Sequence, residues 1–254
     1  IYDLKLSIIE NCIYGSDIQS IAAQITKLRF FISLICNCEK NANKPNYGIP
    51  TLPNLETKFV AANSLIAKKR QACHSLFENP EIEPTKQALT EIRHEHFAAK
   101  IANRKSTLRQ KDKELREKLA RLLAEDNDFA PDDAKQLAEW NPYDQNAVAD
   151  FFDPEWMFGV SDGFDIVIGN PPYLRIQELR KTNNKLADYL SKMYKSATGS
   201  FDLYVTFVER GLKLVKPTGV IYYIMPVKWT NSSFGKGLRN LCYEKSFMYS
   251  IINF

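Results

Sequence analysis

Residues 163–173 read GFDIVIGNPPY, and this stretch decides the fold class of the chain. The glycine and the apolar, β-branched run after it predict a turn followed by a short buried strand that ends at Gly169. An amide, two prolines and an aromatic residue then occupy positions 170–173. Open α/β sheets bind their ligands beyond the carboxyl ends of parallel strands, so the sequence predicts an α/β fold with a ligand site at this point.

The tetrapeptide carries groups that can hold the amino group of a flat, stacked substrate. The side-chain oxygen of Asn170 can accept one hydrogen bond. Pro171 has no N–H, and Pro172 favours an extended conformation before it, which presents the Pro171 carbonyl as a second acceptor. The ring of Tyr173 offers a stacking face. An ordinary loop is the alternative, and residues 141–143 (NPY), which follow no predicted strand, are expected to form only a turn.

Residues 170–173 resemble motif IV of amino-directed methyltransferases that use S-adenosylmethionine, above all the gamma-class N6-adenine DNA methyltransferases. The resemblance implies a Rossmann-like α/β core in which a target adenine, flipped out of double-stranded DNA, stacks on Tyr173. Asn170 and Pro171 would accept hydrogen bonds from adenine N6 and free its lone pair to attack the sulfonium methyl, with Pro172 completing the motif. The charged middle segment and residues 140–173 look most like the methylase part of fused type IIG restriction–modification enzymes.

Residues 12–17 (CIYGSD) predict a strand end followed by the start of a helix, whose apolar positions recur from Ile21 to Ile35 at helical spacing. An acid at the tip of such a strand commonly accepts hydrogen bonds from ribose hydroxyls, although Asp17 could equally be a helix N-cap. The segment resembles the family's motif II, which implies that Asp17 and Ile18 bind the cofactor.

Residues 54–65 (NLETKFVAANSL) resemble the family's third motif, a short strand that ends in a polar residue near an adenine. The resemblance implies that Asn63 and Ser64 bind the cofactor. Relatives frequently carry an acid at the position of Asn63, so an ordinary loop asparagine is the alternative.

Residues 201–204 (FDLY) predict the start of an amphipathic helix that ends at 216–219 (KPTG), and a buried strand follows at 220–226. These elements match the family's motif V, which implies that Asp202 lies near the methyl donor; an N-cap role is the alternative. Lys228 and Trp229 could line the pocket for the target base, with a core position as the alternative for Trp229. A last strand is predicted at 248–254.

The segment from Thr85 to Glu125 is rich in Lys, Arg and Glu and contains no Gly or Pro, so it predicts one or two long helices. A solvated helical face is the first interpretation, and contact with DNA phosphates is the alternative. Together with this segment, the resemblance implies methyltransferase core at 1–66, a helical insertion at 67–155 and further core at 156–254.

Composition is compatible with this interpretation without identifying it. The 254 residues carry a net charge of +4 and are 44% hydrophobic, enough for a substantial core. No apolar run suits a membrane span and no signal peptide is visible, so a cytoplasmic protein is expected. His94 and His96 would point to different faces of a helix, and no metal site is predicted. The odd number of cysteines predicts reduced core thiols, at Cys12, Cys36, Cys38, Cys73 and Cys242.

The family binds the methionine part of its cofactor with a glycine-rich turn, and the ten glycines of this chain offer none. We therefore expect a fragment with weak or no cofactor binding. The partners implied are double-stranded DNA and the rest of a parent polypeptide, including a target-recognition domain and a possible nuclease. Two alternatives stay open: a protein glutamine N5-methyltransferase, and a non-catalytic DNA-binding or assembly module.

Overall fold

A computed structural model describes residues 1–71, 79–245 and 251–252. The chain forms two compact units, Ile1–Val160 and Ser161–Phe254. In both units, parallel strands are joined through helices, which is the α/β organisation that the sequence predicts. No helix in the described ranges is long and apolar enough to cross a membrane. The same ranges contain no cluster of His, Cys, Asp and Glu that could hold a metal ion.

The first unit contains one pair of parallel strands and six α-helices among its described residues. Strand β1 pairs with β2 so that Asp17 lies opposite Ala61, and helix α2 connects the two strands. A 3-10 helix occupies Pro45–Gly48. The elements in chain order are α1 (Tyr2–Cys12), β1 (Gly15–Asp17), α2 (Ser20–Ile35), β2 (Phe59–Ala61), α3 (Ile82–Ala98), α4 (Ala102–Glu125), α5 (Pro131–Glu139) and α6 (Pro154–Phe158).

The helices predicted for residues 85–125 are present as α3 and α4, with a break at residues 99–101. The strand expected before Asn63 is confirmed as β2. The predicted strand end at 12–15 is wrong, because Cys12 ends α1 and the strand begins only at Gly15. The division into residues 1–66, 67–155 and 156–254 stays a prediction.

A buried ionic cluster, which we call the Asp112 cluster, joins α3 and α4 to the end of α5 and to α6. Asp112 is fully buried, and its two carboxylate oxygens accept hydrogen bonds from Arg93 Nε at 2.9 Å and Arg116 Nε at 2.7 Å. Arg93 also donates to the carbonyl oxygen of Trp156, and Arg116 donates to that of Trp140. The cluster thereby fixes α3 and α4 to each other, to the chain just after α5 at Trp140, and to α6 at Trp156.

The second unit contains a second pair of parallel strands. Strand β3 pairs with β4 from Phe164 opposite Val215 to Gly169 opposite Tyr223, and the connection runs through three helices. Short 3-10 helices lie at Val227–Thr230 and Ser233–Gly235. The elements in chain order are β3 (Phe164–Gly169), α7 (Ile176–Thr182), α8 (Asn184–Met193), α9 (Tyr204–Leu214), β4 (Val215–Tyr223) and α10 (Lys236–Lys245).

Strand β3 is present where the sequence predicts it, but the prediction that it is buried is wrong. Helix α9 packs on one face of the β3–β4 pair, where the ring of Tyr223 lies against both Gly169 and Gly211. A Cβ at Gly169 would come within 2.8 Å of that ring, so this close approach requires glycine. Ile166 and Ile168 point to the opposite face and are 57% and 76% exposed. The β-branched pattern predicts a strand, but it cannot reveal whether both faces are covered.

Three further expectations need correction. Helix α9 ends at Leu214, before residues 216–219, because β4 already begins at Val215 and continues to Tyr223 instead of starting at 220. Cys12 and Cys36 are exposed free thiols and not core residues, while Cys38 and Cys242 are partly exposed. Cys73 and most of the strand predicted at 248–254 lie outside the described residues.

Candidate active site

The predicted tetrapeptide, which we call the Asn170 loop (residues 170–173), begins directly where β3 ends. The chain after β4 runs beside it, because the Ile224 N–H donates to the carbonyl oxygen of Gly169 at 3.2 Å. Within the loop, Pro171 is buried, while Asn170 and Pro172 are exposed. The buried proline anchors the loop, and its neighbours remain open to a ligand.

Tyr173 holds the loop together through its hydroxyl group. The hydroxyl lies 3.0 Å from Asn170 Oδ1 and 3.2 Å from the carbonyl oxygen of Ile224. A phenol has one proton, so it donates to one of these acceptors at a time. Tyr173 as a whole is 55% exposed, so its side chain is accessible to solvent. The loop therefore combines an oriented amide oxygen with an accessible aromatic surface.

Tyr204 supports the ring of Tyr173 from behind. The two rings meet edge to face with centroids 6.3 Å apart, and a similar contact at 6.4 Å joins Tyr204 to Phe234. Tyr204 is fully buried, its hydroxyl has no hydrogen-bond partner among the described residues, and burial raises its pKa to about 12. Tyr204 is the last residue of the quoted FDLY segment, yet the sequence gives no signal that its ring would pack against Tyr173.

Asp202 lies close to charged residues of the same unit. Burial raises the pKa of its carboxyl group above the ordinary value, while Arg175 and Lys228 oppose this shift. Arg175 also forms an isolated β-bridge with Asp202. The N-cap of α9 is Leu203, without a side-chain cap, so the alternative role of Asp202 as an N-cap is wrong.

The two residues predicted to line the base pocket, Lys228 and Trp229, differ in their exposure to solvent. Lys228 is exposed and lies near Asp202, consistent with a surface role. Trp229 is 5% exposed, which agrees with the alternative that it is a core residue.

The predicted cofactor residues of the first unit lie together at the carboxyl ends of β1 and β2. The N–H of Ala62 donates to the carbonyl oxygen of Asp17 at 2.8 Å, and the hydroxyls of Ser16 and Ser64 are 3.0 Å apart. Asp17 is exposed, as is Ile18 beside it. The polar ends of both strands thus form one surface, as the parallel pairing requires.

Local hydrogen bonds already use part of this polar surface. Asp17 Oδ1 accepts from the N–H of Gln19 at 2.8 Å; Gln19, not Asp17, is the N-cap of α2. Asn63 Oδ1 accepts from the N–H of Leu65 at 3.2 Å. These turns fix the two side chains while leaving Asp17 Oδ2 and Asn63 Nδ2 without a hydrogen bond among the described residues. Those atoms remain able to meet a ligand.

Comparison with known proteins gives a consistent set of similarities. The family model described as Eco57I restriction-modification methylase matches residues 11–254. A type II restriction enzyme and methyltransferase of Escherichia coli is 34% identical over 36% of this chain and 9% of its own length. A putative type II restriction enzyme and methyltransferase of Methanocaldococcus jannaschii is 28% identical over 94% of this chain and 23% of its own length. A type II methyltransferase of Xanthomonas vasicola is 39% identical over 32% of this chain and 14% of its own length. The chain therefore spans less than a quarter of each of these relatives.

Proposed function

This chain belongs to the Eco57I restriction-modification methylase family, and on that premise we propose that it forms part of a type II DNA methyltransferase that methylates N6 of adenine. The observation that carries the proposal is the Asn170 loop, with an oriented amide oxygen and an accessible Tyr173 ring at the carboxyl end of a parallel strand. The greater length of the relatives supports a parent polypeptide that is larger than this chain.

Asn170 and Pro171 would receive the amino group of the adenine. An amide oxygen has two lone pairs, so Asn170 Oδ1 can keep its bond to the Tyr173 hydroxyl and still accept one N–H of the adenine. The carbonyl oxygen of Pro171 would accept the other N–H. Two acceptors fixed in this way localise the nitrogen lone pair and direct it towards the methyl donor.

Tyr173 would stack on the flipped base. A base outside the duplex has lost its neighbours, and stacking on an aromatic side chain recovers about 1–3 kcal/mol. Because the buried ring of Tyr204 supports Tyr173 edge to face, the stacking surface is held before the base arrives. This arrangement requires a base that has left the duplex.

S-adenosylmethionine would supply an electrophilic methyl group on its sulfonium. The exposed carboxylate of Asp17 suits the ribose hydroxyls, and Asn63 Nδ2 can donate to an adenine edge, with Ile18 and Ser64 beside them. Asp202 would lie on the methyl-donor side and Lys228 at the entrance for the base. Two parallel strand pairs with helical connections support a Rossmann-like core, with residues 67–155 as its insertion.

The experiment that tests this function uses the natural polypeptide that carries this chain and tritiated S-adenosylmethionine. Duplex DNA and a release-factor protein are offered in parallel, and the labelled DNA is digested to nucleosides. We expect label in N6-methyladenine. Label in N4-methylcytosine would contradict the choice of base, and label on the protein alone would contradict the DNA substrate.

Asn170→Ala in the same polypeptide tests the mechanism. Removal of one acceptor that acts in the transition state is expected to lower the transfer rate by ~10²–10³-fold. Asn184→Ala, at another exposed asparagine of the same unit, is the matched control and should retain the rate of the unmodified protein. Turnover by Asn170→Ala equal to that of the control would refute the assigned role.

A further inference from the structure

A groove of about 920 Å³ lies between α4 and α5 in the first unit. Five basic side chains line it beside the aromatic ring of Tyr143: Lys105, Arg109, Lys113 and Arg116 of α4, and Lys135 of α5. Arg116 is already paired with the buried Asp112, so the other four supply the available positive charge. None of them belongs to the candidate active site. The groove therefore concentrates positive charge on α4 and α5, two helices that have no role in the proposed methyl transfer.

The basic residues of α4 follow a regular spacing along the groove. Lys105, Arg109 and Lys113 are four residues apart, so they lie on one side of the helix at intervals of about 6 Å and span about 12 Å. Each strand of a DNA duplex advances about 3.4 Å per nucleotide along the axis, so 12 Å corresponds to three or four phosphates. A single backbone can thus follow this row of cations.

Arg109 is held in place before any ligand arrives. Its Nε donates to His96 Nε2 at 3.2 Å, its Nη2 donates to Glu56 Oε1 at 3.2 Å, and its guanidinium lies 5.1 Å from the ring centroid of Tyr143. No contact within the described part of the chain uses Nη1. A guanidinium fixed on three sides loses little side-chain entropy when it binds a phosphate oxygen.

Two acids also line the groove, but they do not neutralise it. Glu117 lies 3.8 Å from Lys113, and Glu139 lies 3.8 Å from Lys135, each one helical turn away. All four side chains are more than half exposed. Exposed pairs of this kind contribute about 0.3–0.5 kcal/mol, so a phosphate can replace the carboxylate at little cost.

We propose that the groove between α4 and α5 binds the sugar–phosphate backbone of DNA. This inference rests on the proposed function, because it takes the substrate to be DNA. Of the two interpretations of the charged segment, it favours contact with DNA phosphates over a merely solvated helical face. Phosphate contacts position a protein on the duplex without reading its sequence. The groove therefore contributes affinity and salt dependence, and the same contribution is expected on unrelated sequences.

The test measures binding of the natural polypeptide that carries this chain to a fluorescently labelled duplex of arbitrary sequence between 50 and 200 mM salt. Each phosphate contact contributes about 0.9 to the slope of log affinity against log salt, so the double variant Lys105→Gln/Lys113→Gln should lower the slope by about 1.8. Lys113→Gln alone is compared with Lys111→Gln, which removes the same charge two residues away on α4 but outside the groove. Only Lys113→Gln should change the slope, by about 0.9.

Three results would overturn the proposal. They are no measurable binding at 50 mM salt, equal effects of Lys111→Gln and Lys113→Gln, and an unchanged slope in the double variant. Circular dichroism of each variant checks that the helices remain folded. The titration contains no methyl donor, so it can succeed or fail independently of the transfer assay that tests the proposed function.

Discussion

The Asn170 loop and the Asp112 cluster both present an oxygen-bearing polar side chain to fixed donors, but they differ in burial. Asp112 is fully buried, and both carboxylate oxygens are bonded to arginines. Asn170 is exposed, and among the described residues its side-chain oxygen accepts a hydrogen bond only from the hydroxyl of Tyr173. A buried charge is tolerated when its partners are complete, whereas an exposed acceptor with spare capacity can receive a ligand. The contrast separates a structural polar group from one available for chemistry.

The largest expected effect is loss of folding stability on substitution of Asp112. Asp112→Asn keeps the size of the side chain but leaves Arg93 and Arg116 buried without a counter-charge. Breaking a buried ion pair in this way costs about 3–5 kcal/mol, which urea denaturation should report as a lower midpoint. Asp132→Asn, at an exposed position in α5, is the control and should change the midpoint only slightly. Equal midpoints for the two variants would mean that the cluster does not stabilise the unit.

Acid should remove the same contribution from the unmodified protein. Burial alone would raise the pKa of Asp112, but Arg93 and Arg116 oppose it and hold the pKa below the ordinary value of 3.8. The stabilisation is thus fully present above the unfolded pKa and is lost as the pH falls through the folded one.

The difference in unfolding free energy between the unmodified protein and Asp112→Asn should therefore be constant near neutral pH. It should shrink below pH 3.8, by at most about 1.4 kcal/mol per pH unit. Urea denaturation at several pH values measures it. A difference that shrinks already near pH 6 would assign the effect to another group.

The same contrast explains which features sequence patterns could predict. Helical spacing predicts α2, and a charged segment without Gly or Pro predicts α3 and α4. The apolar run before residue 170 predicts β3 together with the position of the Asn170 loop. These are local features, because the period of a segment is set by its own residues. The proximity of Asp17 and Asn63 could be expected as well, because each lies at a strand end in a neighbouring motif of the family.

Contacts between segments that are distant in the chain leave no comparable pattern in the sequence. Asp112 lies in a segment dense in charge, and nothing in it distinguishes the carboxylate that pairs with Arg93, 19 residues away, from the many solvated ones. The carbonyl of Ile224, which meets Tyr173, is a backbone group without a residue signature. Exposure of Ile166 and Ile168 also depends on what covers the sheet, which periodicity does not encode.

The smallest expected effect concerns the single hydroxyl that organises the Asn170 loop. Tyr173→Phe keeps the stacking ring but removes the donor to Asn170 Oδ1, so the amide can rotate and present its NH₂ group where an acceptor is needed. One hydrogen bond of this kind is worth about 0.5–1.5 kcal/mol, which corresponds to a rate of methyl transfer reduced by about 2- to 10-fold. Single-turnover transfer to duplex DNA by the polypeptide that carries this chain measures it.

Tyr189→Phe is the matched control, because it removes a phenolic hydroxyl from α8 of the same unit. It should leave the rate unchanged. A Tyr173→Phe rate equal to or above that of the unmodified protein would show that the hydroxyl only occupies the acceptor. In that case the prolines would be enough to organise the exposed loop. The orientation of Asn170 would then not depend on its hydrogen bond with the Tyr173 hydroxyl.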